Sequence, residues 1–165
     1  MGYTPCMNTT DLAWAAGFID GEGSIEIAYR PKTVRRSPVY AMSLRAANRE
    51  IAPLEKLQSM FGGGIYMVSR LERRAVSGQW HLSGFPRVTA ALKLLRPYLV
   101  VKGAHADKAL EYAERCALPT GWNSGRGGER ERLAPEMITL RQQLFEDMRR
   151  LNLRGEARDA YLATL

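Results

Sequence analysis

The chain has 165 residues, 45% of them hydrophobic, which is enough for one domain whose core needs no disulfide or metal staple. Lys and Arg number 24 against 17 Asp and Glu, and the net charge of +7 points to a polyanionic partner. No apolar run reaches membrane-spanning length, and residues 1–10 lack the basic-then-apolar pattern of a secretory signal. Cys6, Cys116, His81 and His105 form neither a CxxC pair nor a zinc-ligand spacing. The expectation is an intracellular protein with two free thiols, no membrane association and no implied protein partner.

Residues 11–20 read as a helix with Thr10 or Asp11 as its cap. The helix is apolar almost all round, so it should be buried on all sides. Small residues Ala13, Ala16, Gly17 and Gly21 recur at helical spacing and would let a second backbone approach closely. Gly21 and Gly23 should stop the helix. Residues 24–30 then alternate in period two, and a basic loop with Lys32, Arg35 and Arg36 leads to a second strand over 39–47.

Residues 49–61 read as a helix stopped by the Gly62, Gly63, Gly64 run. Strands are expected at 65–71 and 79–83, followed by helices at 86–98 and 103–117. A turn-rich loop at 118–128, with four glycines and a proline, precedes Arg-rich helices at 133–151 and 156–165. The order is α-β-β-α-β-β-α followed by helices, a mixed α+β domain with an antiparallel sheet and helices on one face. One domain should span 1–165, with a core at about 10–117 and a C-terminal helical extension at about 130–165.

One sheet face is left bare, as antiparallel sheets allow. Alternation places Glu26, Ala28, Arg30, Ser43, Arg45, Tyr66, Val68, Arg70, Gln79 and His81 on it. Such a face is either merely solvated or matched to base edges and phosphates. Trp80 and Phe85 fit the core better than a stacking platform.

Glu22 emerges where the first helix ends, a region of partial negative charge. A carboxylate there favours a cation, and two such ends side by side would suit a hard divalent ion with oxygen ligands. The residues from Trp14 to Ile25, WAAGFIDGEGSI, resemble the LAGLIDADG motif. Ala16, Gly17, Phe18, Ile19, Asp20, Gly21, Glu22 and Gly23 match it position by position. Ala15 stands where leucine is usual, and Glu22 where aspartate is commoner. The element order extends the resemblance over about two-thirds of the chain.

The resemblance to LAGLIDADG homing endonucleases implies their fold, with an antiparallel DNA-binding sheet. It implies metal-dependent double-strand cleavage of DNA by a homodimer, since the chain carries a single motif. A homodimer would recognise a long pseudo-palindromic duplex. The metal would be Mg²⁺ or Mn²⁺, held by Glu22 and the Gly21 carbonyl, with Ca²⁺ able to bind without supporting cleavage. Glu22, Asn48 and Lys102 would be catalytic, Asn48 orienting a water and Lys102 offsetting phosphate charge. Asn48 also suits a cap for the helix that follows. Lys102 stands at a helix start, where a cation needs a phosphate or carboxylate beside it. The sheet residues, Lys32, Arg35, Arg36 and Arg49 would contact DNA, and Arg149, Arg150 and Arg154 would add phosphate contacts. Ala13, Ala16, Gly17 and Asp20 would lie at the dimer interface, Asp20 in a structural role near the helix ends. The alternatives within the fold are an intron RNA maturase and a catalytically inactive DNA-binding regulator.

Overall fold

Asn8 turns the chain into its first helix, α1 (Thr9–Glu22), by accepting the Asp11 N–H at 2.8 Å. The cap therefore lies earlier than Thr10 or Asp11, which form part of the first turn. The computed structural model describes residues 7–31, 38–70, 75–116, 134–153 and 163. The basic loop with Lys32, Arg35 and Arg36, Cys6, the glycine-rich loop at 118–128, Arg154 and all but residue 163 of the helix expected at 156–165 lie outside the described residues.

The helix does not stop at Gly21. It continues through Glu22, and the Gly23 N–H caps it by donating to the Ile19 carbonyl. Only glycine fits at 23, because a Cβ there would lie 2.8 Å from the Ile19 oxygen and 3.0 Å from the Arg45 oxygen. That close approach lets the chain leave α1 and enter β1 (Gly23–Arg30) without a loop.

The remaining elements are β2 (Val39–Asn48), α2 (Ala52–Phe61), β3 (Gly64–Arg70), β4 (Ala75–Ser83), α3 (Phe85–Leu95), a single 3₁₀ turn (Arg96–Tyr98), α4 (Gly103–Arg115) and α5 (Pro135–Leu151). Strand order is β1-β2-β4-β3, with every neighbouring pair antiparallel. The strand expected at 79–83 begins four residues earlier, because Met67 pairs with Gly78 and Arg70 with Ala75. Gly78, which reads as a loop residue, is a strand residue: Ile51 and Leu54 fill the space its side chain would take. Helix α2 starts three residues later than expected, since the Asn48 side chain first holds a turn by accepting the Glu50 N–H at 2.9 Å. It ends at Gly62 and Gly63, both at positive φ, so the glycine run is a helix stop.

The helices cover one face of the sheet. Ile25, Ile27, Met42, Leu44, Trp80 and Leu82 meet Leu54, Leu57, Val88, Leu92, Leu95 and Tyr112 in one apolar cluster. Each such side chain contributes about 1.5–3 kcal/mol on burial. The Trp80 indole N–H is satisfied by the Gly62 carbonyl at 2.8 Å. Helix α5 closes the outer edge, with Leu144 and Met148 buried and Asn152 donating to the Ile25 carbonyl at 3.4 Å. Arg141, also buried, donates to the Cys116 carbonyl at 2.8 Å and so neutralises the end of α4.

The α1–β1 junction gives a direct test. Gly23→Ala forces a methyl group against backbone that cannot swing away. It is expected to cost roughly 1–3 kcal/mol, read as a lower urea midpoint at unchanged slope.

Candidate nucleic-acid interface and carboxylate site

Strand register fixes which residues share the face away from the helices. Glu26 pairs with Ser43, Ser43 with Ser83, Ser24 with Arg45, Arg45 with His81 and His81 with Gly64. Tyr66 pairs with Gln79 and Val68 with Ser77. Every residue expected on the bare face therefore lies on it, Arg70 by its register position opposite Ala75. Ser24, Ala41, Ala47, Ser77 and Ser83 belong to it too. Ser24 follows from the alternation that places Glu26 there. Ser77 was hidden because strand β4 looked shorter than it is.

The face is not uniformly accessible. Tyr66 is 57% exposed and Arg30 is exposed, whereas Ser43 is 3% exposed and sits at the floor. At the centre, Arg45 lies 3.6 Å from Glu26, and Glu26 also accepts from Ser24 Oγ at 2.9 Å. Ser43 Oγ, Arg45 Nε and His81 Nε2 are buried without a hydrogen-bond partner among the described residues. Burial pushes the His81 pKa down, the neighbouring Arg45 charge pushes it the same way, and Glu26 offsets part of this. His81 is thus a neutral imidazole at physiological pH.

At the end of α1 the two acids have different environments. Asp20 is committed: Oδ2 accepts the N–H groups of Val100 and Val101 at 2.7 and 3.0 Å, and Oδ1 accepts that of Lys102 at 2.8 Å. Lys102 Nζ also donates to the Asp20 carbonyl. Burial alone would raise the Asp20 pKa, but the three backbone bonds and the Lys102 charge outweigh it and hold it below the ordinary value. These bonds lie within one chain, so Asp20 fastens α1 to the start of α4. Lys102 is 5% exposed, with the carboxylate that a cation at a helix start requires.

Glu22, two residues on, is exposed. The structure thus brings Glu22 and Lys102 to one helix end. Asn48 lies on the adjacent strand, whose Ala46 pairs with Gly23. Its side-chain oxygen is already taken by Glu50, leaving the amide NH₂ for another partner. Arg49 is exposed beside it. Arg149 and Arg150 lie 3.6 Å from Glu146 and Asp147 on α5, so ion pairs engage them.

Helix α1 is one-sided rather than buried all round. Leu12, Ala15, Ala16 and Ile19 face the chain's own core. Ala13, Gly17 and Gly21 are exposed in one row, and a Cβ added at Gly17 or Gly21 meets nothing within 4 Å. Trp14 and Phe18 stack beside this row at 5.6 Å.

The model of the LAGLIDADG endonuclease family matches residues 15–116, more than half of the chain. The chain belongs to the LAGLIDADG endonuclease family. Its fold matches that of the homing endonuclease I-CvuI, solved in complex with the I-CreI target and magnesium, with the DNA not cleaved. The TM-score is 0.68 and identity 21%, covering 90% of this chain and 88% of that one. The archaeal intron-encoded homing endonuclease I-Vdi141I, solved with DNA, matches at TM-score 0.68 and 15% identity over 88% and 86% of the two chains. The homing endonuclease I-TnaI matches at 0.62 and 17% over 89% and 91%. No curated protein sequence matches the chain.

Within this LAGLIDADG chain the two acids should separate in stability measurements. The Asp20 pKa is depressed below 3.8, so its contribution is complete at neutral pH and is lost as pH falls through the folded value. Asp20→Asn is expected to lower stability by about 1.5–3 kcal/mol at pH 7 and to flatten the acid limb below about pH 4. Glu22→Gln should stay within about 0.5 kcal/mol of the parent. Urea unfolding of the three proteins from pH 7 downward checks both.

Proposed function

We propose that the chain is a site-specific DNA endonuclease that acts as a homodimer and makes metal-dependent double-strand breaks at a long pseudo-palindromic target. The observation that carries this reading is the exposed Glu22 carboxylate, held by the Asp20 clasp at the junction between an open small-residue helix face and the bare sheet face.

Two strands require two acids, and one chain offers one at this position. Pairing through Ala13, Gly17 and Gly21 about a two-fold axis would bring two Glu22 groups together. Glu22 and the Gly21 carbonyl are hard oxygen donors suited to Mg²⁺ or Mn²⁺. Among the described residues no three His, Cys, Asp or Glu side chains cluster, so further ligands would come from the second subunit and the DNA phosphates. A bound divalent ion would polarise the scissile phosphate and lower the pKa of a water. Ca²⁺ would take the same donors without supporting cleavage.

The chain's own residues would do the rest. The Asn48 NH₂ would orient the water, and Lys102 would offset negative charge gathered at the end of α1. The sheet face would lie in the major groove, where its side chains reach base edges. I-CvuI has been solved with its target in the presence of calcium, and I-CvuI, I-Vdi141I and I-SmaMI with DNA, which supports the substrate class.

Cleavage of a randomised duplex library with magnesium or EDTA tests the reading. Double-strand cuts at a near-palindromic sequence are expected with magnesium alone. Glu22→Gln should slow cutting at least about 100-fold while binding persists. Selective binding with no cut under any metal would instead make the chain a DNA-binding regulator. For pairing, Gly17→Phe is expected to preserve folding, because its space is open, and to convert a sedimenting dimer to monomer. A wild-type monomer that cuts both strands would sink the homodimer.

A further inference from the structure

The centre of the sheet face holds a feature that generic DNA binding does not account for. Arg45 lies on β2, an inner strand, with Glu26 on one flank and His81 directly opposite on the other. Arginines that clamp phosphates profit from a positive surround. Here a carboxylate sits 3.6 Å from the guanidinium, and that carboxylate is itself held by Ser24. Glu26 would repel a phosphate arriving at the same spot, but it does not oppose the uncharged edge of a base.

The side chain is also partly covered. Arg45 is 36% exposed and its Nε is buried. With Nε buried and one end of the fork 3.6 Å from Glu26, the exposed remainder of the planar guanidinium is the part that can meet a base. In the major groove, guanine offers two acceptors, O6 and N7, side by side, whereas adenine pairs one acceptor with one donor. Neutral His81 leaves Arg45 as the sole positive charge of the pair.

We infer that Arg45, positioned by Glu26 and flanked by His81, reads a guanine at one fixed position in each half-site of the target. Glu26 is a positioning residue and not a base contact. The inference rests on the proposed DNA-reading role of the sheet. In a two-fold dimer the guanine appears twice, on opposite strands.

The test is a binding selection from a randomised duplex library, with calcium in place of magnesium so that cutting plays no part. Four proteins are compared: wild type, Arg45→Gln, Arg45→Lys and Glu26→Gln. Wild type should prefer guanine about 10-fold or more at one symmetric pair of positions. Arg45→Gln should move that preference to adenine and leave other positions alone. Arg45→Lys should keep the charge but weaken the discrimination, since it lacks the planar fork. Glu26→Gln should relax the same position while tightening binding to unrelated DNA, a combination that a merely structural role would not produce. Uniform weakening by Arg45→Gln with guanine retained would overturn base reading and leave the DNA-binding function standing. A wild-type protein with no sequence preference at all would overturn that function as well.

Discussion

The clasp on Asp20 fixes the rest of the site. One carboxylate takes three backbone N–H groups from residues 100–102, and the Lys102 ammonium meets the carbonyl of the same residue. The arrangement joins the C-terminal end of one helix to the N-terminal end of another. At the first end carbonyls lack donors, and at the second N–H groups lack acceptors. A single acid with a lysine satisfies part of each. The bonds bridge about 80 positions of sequence and lock the orientation of α1 against α4. Glu22 is thereby held at a fixed point without making a side-chain hydrogen bond or ion pair among the described residues.

Gly23 carries that order into the sheet. Because β1 begins directly at the helix cap and pairs from its first residue, the register of β1 and β2 is set by the same junction that sets Glu22. The carboxylate and the bare sheet face therefore cannot move independently. A shift of one residue in β1 would turn Glu26 and Ala28 into the core and expose Ile25 and Ile27. The apolar cluster under the sheet opposes that slip strongly, so core packing enforces the geometry of the polar face above it.

Much of this was legible in the sequence, for identifiable reasons. The end of α1 was marked by Gly23, although Gly21 suggested an earlier stop, and the sheet face by strict alternation through Glu26, Ser43, Arg45, Gln79 and His81. What was missed depended on contacts distant in sequence. The partners of Asp20 lie at residues 100–102, and no local pattern announces them. Gly78 reads as a turn because its role is to admit Ile51 and Leu54, which belong to another element. Ala16 is buried in the chain's own core, a distinction alanine does not announce because it suits either a close helix pair or a tight core. The Arg45 and Glu26 contact required the register of two strands, which alternation alone does not supply.

The distribution of charge matters more than its sum. A net charge of +7 would draw the chain to any polyanion. Such attraction is indifferent to sequence, and a face built only of arginine and lysine would bind everywhere. The centre of this face instead sets an acid beside an arginine and a neutral histidine opposite it. The arrangement gives up some attraction for phosphate and keeps three buried polar atoms in need of partners. An unmade hydrogen bond at a buried group costs about 1–3 kcal/mol, so the centre of the face holds its polar side chains at a cost that a merely solvated surface would not carry. In the proposed function, discrimination would come from this central group, and the exposed Arg30 and Arg49 at the margins would supply the unspecific part of the affinity.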